Sequence, residues 1–139
     1  MKLWIRVAFV LMFVPLVASA QFRDLDAAMS NLERGFGGGD VDAIVSGIAT
    51  DDQVMLQFPG LADKSGFFGR DQAAYLLDGL FNKVKPSGFE RKSARKVSAE
   101  GQYHITAAWE ISGGPVNLYI TLRQKDSKWS VVSVRSARE

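Results

Sequence analysis

His104 is the only imidazole in a chain of 139 residues that has no cysteine. Imidazole is the side chain that exchanges protons near neutrality, so His104 is the one ready proton shuttle. Its neighbours turn it away from that task. Tyr103, Ile105, Ala107, Trp109 and Ile111 share one strand parity, and His104, Thr106, Ala108 and Glu110 share the other. With the apolar set facing the core, His104 stands on the outer face. The carboxylates form no dyad: Asp24, Asp26, Asp40, Asp42, Asp51, Asp52, Asp63 and Asp71 fall at helix ends or in loops. There they serve as caps, dipole partners and solvated turns. No serine is marked as a nucleophile, because a triad would need His104 as its base. One histidine and no cysteine leave no metal-ligand spacing. The expectation is no catalytic residue, no metal and no cofactor.

Aromatic side chains are the positive signal. Phe58, Phe67, Phe68, Phe81, Tyr103, Trp109, Tyr119 and Trp129 are many large rings for a short chain. Two readings compete. Phe58, Phe81, Tyr103, Trp109 and Trp129 are the candidates to line an apolar cavity holding a small hydrophobic ligand. Alternatively the rings fill the core and touch one another. Some could instead cover a homodimer face on an open sheet. A basic cluster, Lys83, Lys85, Arg91, Lys92, Arg95 and Lys96, reads as a solvated outer face with amphipathic stems. Without an aromatic–glycine signature beside it, no nucleic-acid partner is expected.

The N-terminus sets the compartment. Lys2 and Arg6 precede an apolar run from Val7 to Val17, and Ala18-Ser19-Ala20 offers the small residues that signal peptidase accepts. The run is shorter than the roughly 20 apolar residues a membrane span needs. Residues 1–20 are thus expected to be a cleaved leader. Residues 21–139 would then be one exported domain, periplasmic or secreted, with no stable membrane anchor. Removing Lys2 and Arg6 takes 17 cations to 15, equal to the 15 acids. That balance argues against a partner held by net charge.

The elements that must position these residues follow from periodicity. Phe22, Leu25, Met29, Leu32 and Phe36 make one helical stripe, stopped at Gly35-Phe36-Gly37-Gly38-Gly39. Asp40 caps a short second helix with Val41, Ile44, Val45 and Ile48 on its buried face. Val54, Leu56 and Phe58 alternate as a strand, and Gly66-Phe67-Phe68 is a short extended lead-in. A third helix opens at Gly69-Arg70-Asp71-Gln72 and buries Ala73, Leu76, Leu77, Leu80, Phe81 and Val84. Strands over about 89–99, 102–112, 115–125 and 128–136 then alternate with short turns. Helices first and a meander last give an α+β class, three helices on a strongly curved, mostly antiparallel sheet.

This order resembles the nuclear transport factor 2-like superfamily, a cystatin-like cone. The resemblance rests on Gly39-Asp40-Val41-Asp42-Ala43-Ile44, Val54-Met55-Leu56-Gln57-Phe58-Pro59-Gly60, Gly69-Arg70-Asp71-Gln72-Ala73-Ala74 and Lys128-Trp129-Ser130-Val131-Val132-Ser133-Val134. It covers essentially all of residues 21–139. Phe68-Gly69-Arg70-Asp71-Gln72-Ala73 and Lys85-Pro86-Ser87-Gly88-Phe89 are most similar to an uncharacterised exported bacterial branch, a domain-of-unknown-function family. The resemblance implies a cavity between helices and sheet, where the superfamily's enzymes place acid–base groups. The isomerase type needs a helix-borne tyrosine, and the first helix here has none. The expected function is therefore a non-catalytic binding or assembly module. It would hold an apolar ligand in the cone, or a partner or second copy across the sheet. The alternative is a small acid–base enzyme using the same cone.

Overall fold

The computed structural model describes residues 24–97 and 101–138. The leader expected at 1–20, and Phe22 of the first stripe, lie outside the described residues. The element order is α1 Leu25–Gly38, α2 Val41–Val45, β1 Val54–Gln57, β2 Gly66–Phe68, α3 Arg70–Val84, β3 Gly88–Val97, β4 Gln102–Ile111, β5 Gly114–Lys125 and β6 Lys128–Ala137.

Each helix starts where local chemistry tells it to. The Asp24 carboxylate accepts the Ala27 N–H at 2.8 Å, and Asp40 accepts that of Ala43 at 3.3 Å. Gln72 reaches back to accept the Gly69 N–H at 3.2 Å. These bonds satisfy amides that the first turn leaves without partners. The glycine run behaves differently from expectation. Helix α1 continues through Gly35, Phe36 and Gly37 to Gly38, and Gly39 caps it in the left-handed region at φ 73°. Gly35 is there for space. A Cβ at Gly35 would lie 2.3 Å from Ile44 Cγ1. Its absence lets α2 pack directly on α1.

The six strands of the described residues form one sheet in the order β2-β1-β6-β5-β4-β3. Neighbours are antiparallel except β1 and β6, which run parallel, with Leu56 opposite Val134. The register slips between Arg91 and Ser93 in β3 and between Thr121 and Leu122 in β5. Such bulges bend strands and increase twist, which suits a sheet that curves around helices. Asp126 and Ser127 both have positive φ between paired Lys125 and Lys128. A two-residue turn of that hand matches the twist of its strands.

The core lies between the helices and the concave sheet face. It joins Leu32 and Phe36 of α1, Ile44 of α2, Leu77 and Phe81 of α3, and Leu56, Ile105, Trp109, Leu118, Ile120 and Val134 of the sheet. Backbone bonds tie the layers together. Val131 N–H donates to Gly47 O at 2.8 Å, and Ser112 N–H donates to Val84 O at 2.7 Å. Among the described residues, no helix is long and apolar enough to cross a membrane.

Candidate functional site: a cleft beside the third helix

The five pocket candidates separate into two groups. Trp109 is fully buried, and its ring meets Phe36 at 5.5 Å, Phe81 at 5.8 Å and Phe58 at 6.1 Å between centroids. Phe36 and Phe81 also meet edge to face at 5.8 Å. The Trp109 indole N–H donates to Phe36 O at 2.7 Å, so the polar tip of the ring is satisfied inside the core. This end of the cone is packed with touching rings. Tyr103 and Trp129 form a separate pair at 6.1 Å, towards the other end of β4. Tyr103 and Trp109 are six positions apart along the strand, about 20 Å of chain. Three candidates thus share one ring cluster and two share another.

A cleft that opens to solvent lies elsewhere. It measures about 720 Å³ and sits between the outward side of α3 and residues 61–68. None of the five candidates lines it. From α3 come Gln72, Tyr75, Leu76, Gly79 and Lys83, spaced three and four apart, and hence on one helical face. Leu61 and Phe68 complete the apolar wall, with Phe67 at its lip. Sequence reasoning placed Leu76 in the buried stripe, but it is half-buried, because the stripe of α3 is wide enough to reach past the core.

Two aromatics mark the cleft. Phe67 is 68% exposed and Tyr75 is 84% exposed, and both line it. Phe67 alternates outward on β2 opposite Met55, which explains why one ring of the Phe67-Phe68 pair faces water. Gly79 opens the helix side: a Cβ there would meet nothing within 4 Å. Lys83 Nζ donates to Leu61 O at 3.1 Å and fastens the loop to the helix. At the opposite end of α3, Arg70 Nη2 donates to Ile48 O at 2.8 Å, which fixes the helix against the residues after α2. Asp63, Lys64, Asp71 and Lys83 make a mixed-charge rim. Nothing in the strand and helix patterns signalled this site, since it forms between a loop and a helix face that are neighbours only in space.

The one imidazole of the chain does not line this cleft. His104 is exposed on the outer sheet face, as its parity requires, with Nε2 3.4 Å from Gln102 Oε1. Ile105, Ala107, Trp109 and Ile111 of the other parity are buried. Among the described residues, no three of His, Cys, Asp and Glu gather as a metal site.

Helices packed on one face of a curved sheet in which β1 and β6 run parallel are the fold that the similar solved structures share. The DUF4783 domain of unknown function matches residues 29–136. The chain belongs to the DUF4783 family. A DUF4783 protein from Bacteroides ovatus superposes with a TM-score of 0.69 at 17% identity, covering 79% of this chain and 94% of that one. A nuclear transport factor 2-like protein of unknown function from Shewanella oneidensis gives 0.59 at 18% identity, over 80% and 96%. A protein with a ketosteroid isomerase-like fold from Catenulispora acidiphila, solved with trimethylamine, gives 0.57 at 13% identity, over 81% and 85%. No curated protein sequence matches the chain. The DUF4783 assignment and these likenesses establish the nuclear transport factor 2-like cone, and at such identities they establish the fold alone.

Proposed function

We propose that this DUF4783 domain is a non-catalytic binding module that acts after export and holds a small apolar or amphipathic ligand in the cleft beside α3. One observation carries the reading: two large aromatics, Phe67 and Tyr75, stand exposed on the same open, largely apolar cleft. Large exposed aromatics are costly on a free surface and are common where something docks. The volume of about 720 Å³ falls within the range of small-molecule sites. The mixed rim of Asp63, Lys64, Asp71 and Lys83 suits a ligand with an apolar body and a polar end. The acid–base alternative would have to use Asp63, Asp71 or Tyr75, because the one imidazole is on the far side of the sheet from the core.

The test uses Gly79, where added side-chain volume enters the cleft without meeting the protein. The full chain is expressed in an exporting host, and both wild type and Gly79→Leu are purified from the exported fraction. Native mass spectrometry and titration with the dye 1-anilinonaphthalene-8-sulfonate follow. The wild type is expected to carry a bound mass or to take up dye with saturation. Gly79→Leu, equally folded, is expected to lose both. Equal binding by the two proteins, or no binding by the wild type, would remove the cleft as the site. A clean dimer without bound mass would favour self-assembly across the sheet face instead.

A further inference from the structure

The basic cluster on β3 is not used by that cleft, and its setting gives it a different meaning. Among the described residues, β3 is the last strand of the sheet and pairs with β4 alone, so beyond Phe89, where α1 packs at Gly37, its other backbone edge has no strand beside it. Glu90, Arg91, Lys92, Ser93, Arg95 and Lys96 are all exposed. Arg91-Lys92 and Arg95-Lys96 are adjacent pairs, so strand alternation puts cations on both faces. Arg95 lies opposite His104 on the outer face, while Lys96 lies opposite Tyr103 on the other parity. Lys92 Nζ donates to Asn117 Oδ1 at 3.3 Å, and no described carboxylate lies within ion-pair distance of any of the four cations.

The charge along the chain is also segregated. Residues 24–78 hold ten carboxylates and three cations, whereas residues 79–138 hold eleven cations and four carboxylates. The balanced total conceals an acidic helical half and a basic sheet half. The resulting field draws an anionic chain towards the sheet and away from the helices.

We propose that β3 is a docking strand for an extended acidic segment of a partner protein, taken up by strand addition. A segment laid along the edge would form a backbone ladder and place its carboxylates beside cations on both faces. A flat anionic surface could touch the cations of only one face at a time. A nucleic acid would not find the Tyr119 ring of the outer face free for stacking, since the Arg135 guanidinium covers it at 4.6 Å. The simpler reading is that the cations only keep the edge from pairing with other copies.

Fluorescence anisotropy separates these. The probe is a labelled ten-residue peptide of alternating Glu-Glu and Val-Thr pairs, titrated with the full chain at low ionic strength. Controls are the peptide with Gln for Glu, the peptide with two central prolines, phosphatidylglycerol vesicles and an oligothymidylate. The acidic peptide is expected to bind, and both altered peptides to bind about tenfold more weakly. Arg95→Glu/Lys96→Glu, at exposed positions, is expected to lose binding by a similar factor of about ten, while Lys125→Glu/Lys128→Glu retains it. Failure of the acidic peptide to bind would overturn the proposal. So would equal binding of the proline peptide, or equal losses in both charge variants, and the edge would then be guarded only. Tighter binding of vesicles or oligothymidylate would replace the acidic segment with that partner.

Discussion

Trp109 connects three elements through one side chain. It leaves β4, packs against Phe36 of α1 and Phe81 of α3, and donates to a carbonyl of α1. Trp109→Phe preserves an aromatic ring but removes the donor and some volume. Phe36 O would be left buried without that partner. We expect a loss of about 2–4 kcal/mol, from the unsatisfied carbonyl and the smaller ring together. Urea unfolding checks it: the midpoint should fall with little change in slope. A loss under about 0.5 kcal/mol would mean that the indole bond contributes nothing net against water.

Helix-scale packing depends on two glycines of opposite meaning. Gly35 in α1 has Ile44 Cγ1 and Cδ1 at 2.3 and 2.9 Å from where a Cβ would stand, and Asp40 O at 3.2 Å. Gly79 in α3 has nothing within 4 Å. Alanine is the better helix former by about 1 kcal/mol at either site. Gly79→Ala should therefore stabilise by about 0.5–1 kcal/mol. Gly35→Ala should destabilise by about 1–3 kcal/mol, because overpacking exceeds the propensity gain. In an Ile44→Ala background the Gly35→Ala penalty should shrink by about 1 kcal/mol or more. Thermal unfolding of the four variants in a double-mutant cycle measures this. An unchanged penalty would show that Ile44 is not the obstacle.

At the scale of the whole molecule, the core has no seam. Helices and sheet share one cluster of buried residues, and the Ser112 N–H just after β4 donates to Val84 O at the end of α3. One cooperative transition is expected, with calorimetric and van't Hoff enthalpies equal. Earlier loss of helical signal than of tryptophan fluorescence would show that the helical layer melts separately. The segregation of charge is also a property of this scale. It leaves the core untouched and governs how the molecule meets a partner, which is why the total charge gave no hint of the β3 edge.

Much of the fold was legible in residues 24–138 alone. Helical stripes, the Asp24 and Asp40 caps and the alternation of β4 are local signals, written every two or every three to four residues. They place α1, α3 and the long strands to within about two residues, and they put His104 outside; α2 is shorter than expected, ending at Val45, with the buried Ile48 in the turn that follows it. The glycine run of α1 was less legible, because a glycine that ends a helix and one that admits a neighbouring side chain look the same in sequence. Only the position of Ile44 separates Gly35 from Gly39. The aromatic excess is plain in the sequence, but which rings touch was decided by the curvature of the sheet and the bulges that bend it. The cleft was decided in the same way. Phe67, Tyr75 and Gly79 become one site because α3 and the 61–68 loop pack side by side, and no periodicity records a contact between segments that meet only after folding.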